Sequence, residues 1–139
     1  MQLPTDLLAN SIKRGSILHS TDFKDIDHGK FFVVIGVTDD YVAGFFFINS
    51  RIHPSIMCKP DQLAMQYLLK ASDYPFLRYD SFLSASSIIK KHRNDIATSM
   101  CESRTSYIDE LKNEDLENIL GMLRASKLYN NADKKRFFY

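Results

Sequence analysis

The chain has 139 residues, of which 45 % are hydrophobic and 12 % aromatic, so it holds enough apolar material for a buried core. With five Gly, four Pro and 25 % charged residues, its composition excludes a disordered linker protein and a fibrous repeat. The formal net charge of +1 predicts no overall field for binding nucleic acid. We therefore expect one folded domain over residues 1–139.

The sequence favours a protein of the cytoplasm without a cofactor. No apolar run approaches the roughly 20 residues of a membrane-spanning helix, and residues 1–15 lack the basic and apolar regions of a signal peptide. Cys58 and Cys101 lie far apart and outside any zinc-ligand spacing, so neither a disulfide framework nor a metal site is expected. We expect no membrane partner.

The first strong structural pattern follows an N-terminal lead of residues 1–13, in which residues 4–12 predict one or two helical turns. A short strand is expected at residues 14–19, followed by a polar loop. Between residues 30 and 50, the runs FFVVIGV and YVAGFFFIN are separated by TDD and predict an antiparallel hairpin. Because both runs are almost continuously apolar, we expect cover on both faces, in a small closed barrel or beneath a helix. Gly36 and Gly44 mark an expected bulge or bend.

The second half of the chain is expected to add shorter elements. Residues 51–60 are irregular, residues 61–65 predict a helical turn, and residues 67–71 and 79–89 predict strands. Leu116, Ile119, Leu120 and Leu123 follow helical spacing, with Asn113 as the expected N-cap. Residues 127–139 form a basic-aromatic tail that could bind RNA, dock onto its own barrel or join a dimer interface.

The order of these elements resembles a known toxin family. RGSILHS, GKFFVVIGV, GFFFINSR and YDSFLSASSIIKKHR, followed by an amphipathic helix, are similar to the MazF/PemK family over residues 14–126. The resemblance implies a mainly β fold, a small SH3-like barrel of about five to seven antiparallel strands over residues 14–105, with a C-terminal amphipathic helix in residues 106–126. It also implies the toxin of a type II toxin–antitoxin system, a metal-independent endoribonuclease that acts on single-stranded RNA. Such toxins are usually homodimers and are neutralised by a cognate antitoxin.

The resemblance and the hairpin together indicate a candidate catalytic site. RNA cleavage without a metal needs a base near the 2′-hydroxyl, a cation or donors for the phosphate charge, and an acid for the leaving 5′-oxygen. By position, Ser50 matches a family Thr or Ser and Lys30 matches a family Arg. The open end of an antiparallel hairpin brings these two positions together. The candidate catalytic residues are Lys30, Ser50, Arg51, His28 and His53. Taken singly, each of them is more often a solvated loop side chain or a strand cap.

Two positions depart from the family pattern. Lys30-Phe31 stands where the family has Arg-Pro, and Ser16 stands where Asp is common. Lysine provides a point charge rather than the two-pronged donor of an arginine. These departures leave open a non-catalytic RNA- or protein-binding module on the same barrel, or an interaction protein of a phage or mobile element.

A second group is expected to contact RNA rather than to catalyse. Residues 51–105 carry eight basic and five acidic side chains, and they include a short basic run. The expected RNA-binding residues are Lys90, Lys91, His92, Arg93 and Ser81. A solvated strand end is the more common role of such a basic run, and a local turn explains the serine equally well.

Overall fold

The computed structural model describes residues 5–23 and 28–139, which form a β-rich fold with several helices. Within these two ranges the seven strands are β1 (Ser16–Ser20), β2 (Lys30–Val37), β3 (Val42–Asn49), β4 (Gln66–Leu69), β5 (Ser81–Ser84), β6 (Ile89–His92) and β7 (Thr105–Glu110). Every pairing among them is antiparallel, in the order β4-β5-β3-β2-β1-β7. Strand β6 pairs with the first half of β3, whose second half pairs with β5.

The mainly β fold agrees with the expectation, but the sheet is not closed, so the SH3-like barrel expected over residues 14–105 is not confirmed. The strand order of the sheet ends at β4 on one side and β7 on the other, and within the described residues these two strands do not pair. The helices that pack against its faces are α1 (Thr5–Asn10), α4 (Arg93–Cys101) and α5 (Asn113–Ala125). The short helices α2 (Pro54–Met57), α3 (Pro60–Leu63) and α6 (Asn131–Asp133) bury no residue. A π-helical turn, Lys134–Phe138, follows α6.

The predicted hairpin is confirmed and lies in the middle of the sheet. Its strands β2 and β3 pair with Phe32 opposite Phe47 and Gly36 opposite Gly44, and the register shifts between Val34 and Gly36, at the expected bulge. Thr38 closes the turn, because its hydroxyl accepts a hydrogen bond of 2.9 Å from the Val42 amide.

Alternation along the central strands buries both faces of the sheet. Ile17, Val33 and Phe46 belong to one buried cluster, which includes residues of α5 and the π-helical turn. Leu18 and Phe45 belong to a second cluster, which includes residues of α1 and α4. The two-sided cover inferred from the continuous apolar runs therefore comes from helices.

Several boundaries differ from the sequence-based expectation. The strand expected over residues 79–89 is divided into β5 and β6, because Ala85 between them hydrogen-bonds to other segments. The Ala85 amide donates to the Met65 carbonyl, and the Ala85 carbonyl accepts a hydrogen bond from Tyr129 Oη. Residues 105–110 form the edge strand β7 rather than part of a helical region. Helix α5 has Lys112 in the N-cap position, so Asn113 is its first helical residue.

The basic-aromatic tail docks onto its own chain, one of the three alternatives left open by the sequence. Phe137 and Phe138 are both 0 % exposed. Their carbonyls are also held: Arg14 Nη2 donates to the Phe137 oxygen at 3.0 Å, and Arg124 Nε donates to the Phe138 oxygen at 2.6 Å. The tail is therefore part of the core.

We expect Gly36→Ala to destabilise the protein by about 1–3 kcal/mol or more, because overpacking forces the surrounding structure to move. An added Cβ would lie 2.9 Å from the Cα and carbonyl carbon of Phe137 and closer still to its oxygen. Gly121→Ala is the matched control, since a Cβ there meets nothing within 4 Å and alanine favours the interior of α5 by up to about 1 kcal/mol. Urea unfolding measures both changes, and equal stability of the two variants would contradict this packing.

A chain of side chains ties the segment after β1 to α4 and β7. Ser99 Oγ donates to Asp22 Oδ2 at 2.5 Å and lies 2.6 Å from Thr105 Oγ1, which donates to Ser20 Oγ at 2.8 Å. Arg104 also donates to Asp22. Burial opposes ionisation of Asp22, but the hydrogen bonds from Ser99 and Arg104 and the charge of Arg104 outweigh it and lower the pKa of Asp22.

Because its folded pKa is lowered, Asp22 contributes stability that is present above pH about 4 and is lost as the pH falls through the folded value. Asp22→Asn should reduce the free energy of unfolding at pH 7 by about 1.5–3 kcal/mol, the range for a hydrogen bond to a charged group. The difference from the wild type should shrink as the pH falls below about 4. Asp39→Asn, at an exposed carboxyl, is the control, and a difference for Asp22→Asn that does not change with pH would refute this assignment.

Candidate functional site

The open end of the central hairpin forms a cleft of about 270 Å³. It is lined by Lys30, Asn49, Ser50, Arg51, His53 and Pro54. Four of the five candidate catalytic residues therefore lie together, because the hairpin register places the start of β2 beside the end of β3. His28 is not among the lining residues. It is exposed, two positions before Lys30, and its carbonyl lies 3.2 Å from His19 Nε2.

Lys30 is fixed at the floor of this cleft by two neighbours on β3. Its Nζ donates to Asn49 Oδ1 and lies 5.7 Å from the centre of the Phe47 ring. Burial lowers the pKa of Lys30. Asn49 was missed by sequence reasoning, although the register that pairs residue 32 with residue 47 also brings residues 30 and 49 opposite each other.

His53 has a structural role in addition to lining the cleft. It is the N-cap of α2, and its Nδ1 accepts a hydrogen bond of 3.1 Å from the Ser55 amide and lies 2.7 Å from Ser55 Oγ. A neutral imidazole has one donor and one acceptor nitrogen. Since Nδ1 accepts, the proton of the neutral ring is on Nε2. This arrangement favours His53 as a hydrogen-bond donor and disfavours it as a proton acceptor.

A second cavity of about 290 Å³ adjoins the cleft and shares Ser50 with it. The other residues that line this apolar slot are Phe31, Ile48, Phe76, Leu77, Arg78, Tyr79 and Ser81. Ser81 is buried, and its hydroxyl donates to the Tyr79 carbonyl at 2.9 Å. The expected RNA-binding serine therefore lies beside the cleft. Arg78 and Tyr79, which precede β5, were not among the site residues expected from the sequence.

The basic run at residues 90–93 lies away from the cleft, at the other half of β3. Strand β6 pairs with Val42–Phe45, whereas the cleft begins at Asn49, at the other end of β3. Lys90 forms an ion pair of 3.1 Å with Asp133, and Lys91 Nζ lies 4.8 Å from the centre of the Phe23 ring. The guanidinium of Arg93 lies 4.4 Å from the centre of the Tyr41 ring.

His92 repeats the capping arrangement of His53. It is the N-cap of α4, and its Nδ1 accepts a hydrogen bond of 3.1 Å from the Asn94 amide. The members of the predicted RNA-binding group thus lie in two places, since Ser81 borders the slot and residues 90–93 do not.

The two adjoining cavities are lined by cations without carboxylates. Lys30, Arg51 and Arg78 are among their lining residues, and none of the described lining residues is Asp or Glu. Within residues 5–23 and 28–139, no group of His, Cys, Asp or Glu could hold a metal ion. Over the same ranges, none of the helices has the length and apolar character needed to cross a bilayer.

Comparison with known proteins adds no relative. No protein-family model matches the chain, and no curated protein matches it. The resemblance to the MazF/PemK family therefore rests on the sequence segments described above.

We expect His53 and His92, in their neutral forms, both to carry the ring proton on Nε2, because Nδ1 of each accepts a backbone N–H. Two-bond ¹H–¹⁵N correlation spectra of the neutral rings identify the protonated nitrogen. Replacing His53 by Asn should retain the helix cap, since Asn is a preferred N-cap residue, whereas His53→Ala should expose the Ser55 amide to faster hydrogen exchange. An Nδ1–H tautomer at residue 53 would contradict the cap.

Proposed function

We propose that the protein is a MazF/PemK-like toxin, a metal-independent endoribonuclease that acts on single-stranded RNA. The observation that carries this proposal is the cleft at the open end of the hairpin, where Lys30, Ser50, Arg51 and His53 lie together. Cations and hydroxyl donors without competing carboxylates suit a phosphodiester, whose charge grows in the transition state. The proposal includes the partners implied by the resemblance, a cognate antitoxin and a second copy of the chain, and a cytoplasmic location.

In this proposal each cleft residue has a separate task. Arg51 and Lys30 hold the scissile phosphate, and Ser50 donates a hydrogen bond to one of its oxygens. His53 donates a hydrogen bond from Nε2 to the phosphate, because its Nδ1 accepts the backbone N–H at the start of α2. The 2′-oxygen attacks phosphorus and the bond to the 5′-oxygen breaks, which leaves a 2′,3′-cyclic phosphate, and the departing 5′-oxygen takes a proton from water. We assign acceptance of the 2′-hydroxyl proton to His28, which is exposed and two residues before Lys30.

The open sheet is, in the same proposal, a diverged form of the SH3-like barrel of the family. Two features agree with the resemblance: the central position of the β2–β3 hairpin and the location of Lys30 and Ser50 at its open end. The helices that cover both faces would then be the elements that distinguish this chain from a closed barrel.

A non-catalytic RNA-binding module is the second candidate. It is favoured by Lys30 in place of arginine, since lysine lacks the two-pronged donor geometry, and by the commitment of His53 Nδ1 to a helix cap. A binding module needs the cations of the cleft but no proton transfer. The two functions therefore differ in whether bound RNA is cut.

We expect the purified protein to cleave single-stranded RNA in the presence of EDTA, and Arg51→Ala to reduce the rate about 10²–10³-fold, the usual effect of losing one transition-state donor. Lys30→Arg should cleave at least as fast as the wild type, because the guanidinium offers paired donors. Lys127→Ala, at an exposed lysine outside the cleft, is the control for net charge.

Fragment lengths on a denaturing gel give the rates, and fluorescence anisotropy of labelled RNA gives the affinities. Binding without cleavage would select the binding module. Cleavage at wild-type rate by Arg51→Ala would move the active site elsewhere, and the basic run at residues 90–93 would be the next candidate.

A further inference from the structure

We propose that the apolar slot beside the cleft binds one unstacked base of the RNA whose phosphate lies on Arg51, with the base stacked on Tyr79. The inference rests on the proposed function, since it assigns a base subsite next to the proposed phosphate subsite. The two cavities share Ser50, so a base in the slot and the neighbouring phosphate in the cleft belong to adjacent parts of one nucleotide chain.

The inner wall of the slot is aromatic and fixed in place. The Phe76 ring lies 4.9 Å from Phe31 and 6.1 Å from Tyr74, measured between ring centres. Tyr74 is buried and its hydroxyl donates to Asp115 Oδ2 at 2.5 Å. Phe76 therefore has little freedom to collapse into the slot, and the cavity remains available to a flat ring.

The outer wall is provided by Tyr79, whose side chain is available for stacking. Tyr79 is 62 % exposed, and within the described residues its ring has no aromatic or cation partner. Its backbone is nevertheless held, because Ser81 Oγ donates to the Tyr79 carbonyl. An exposed ring on an anchored backbone is the arrangement by which single-stranded nucleic acids are bound through base stacking.

Size and charge favour a base over a peptide side chain as the occupant. A volume of about 290 Å³ lies at the lower end of ligand pockets, which suits one ring system rather than a longer segment. Arg78 lines the slot and Lys30 and Arg51 line the adjoining cleft, so the surroundings attract a polyanion. Guanidinium planes and aromatic faces are the groups on which unpaired bases of RNA stack.

The test uses a tryptophan introduced at position 79 as the reporter. Since the chain contains no Trp, Tyr79→Trp places a single indole at the slot, and its fluorescence should be quenched when a base stacks on it. The probe is a short mixed-sequence single-stranded DNA, which lacks the 2′-hydroxyl and cannot be cut by the proposed route. An abasic strand of the same length, with the same phosphates, is the second probe. Tyr107→Trp, at a 44 % exposed tyrosine of β7, is the control variant.

We expect the DNA with bases to quench the indole of the Tyr79→Trp variant but not that of the Tyr107→Trp variant, and the abasic strand to quench neither. Tyr79→Ala should weaken binding of the labelled DNA about 5- to 150-fold and Tyr79→Phe should leave it nearly unchanged, with the same dependence on salt in both. Binding of both strands with equal affinity and without quenching would overturn the base subsite, while phosphate binding in the cleft would remain supported. If the wild type neither binds either strand at low salt nor cuts RNA, the proposed function is overturned together with the base subsite.

Discussion

The close approach of the Phe137 backbone to the central hairpin is the constraint on which the rest of the fold depends. Gly36 leaves the space for this contact, and Gly44 opposite it leaves space for the Phe137 ring, since a Cβ at residue 44 would lie 2.7 Å from that ring. Arg14 joins the same layer, because it donates to both the Ile35 and the Phe137 carbonyls. Residues 137 and 138 are thereby buried against one face of the open sheet.

The same hairpin carries the candidate site at its opposite end. Packing on both faces fixes the hairpin register, and a slip by one residue would move every apolar side chain to the wrong face. That register brings Lys30 beside Asn49 and thereby defines the floor of the cleft. Thus the geometry of the polar site follows from apolar packing in the middle of the strands.

Sequence patterns predicted the parts of the molecule that are fixed by local chemistry. The hairpin and the position of Lys30 and Ser50 follow from apolar runs and antiparallel pairing, whereas β7 has one buried residue, Thr105, and so no alternation to detect. Both histidine caps escaped notice because Ser, Thr, Asp and Asn are the usual N-cap residues. The slot at Tyr79 forms where the loop before β5 lies against Phe31. These segments are far apart in the sequence, so no local pattern predicts that they come together.

A net charge of +1 does not describe the local charge of the surface, because the cations differ in whether a carboxylate pairs with them. Among the described residues, several cations away from the cleft are in ion pairs: Lys13 with Glu110, Lys90 with Asp133, Arg104 with Asp22 and Glu102, and Lys112 with Asp73. In the same ranges Arg51 and Arg78 form no ion pair with a carboxylate. Local fields in a cleft act on a ligand over about one Debye length, roughly 8–10 Å at physiological salt. Arg51 and Arg78 therefore provide a local positive field where the cleft and the slot meet, and the total charge of the chain does not measure it.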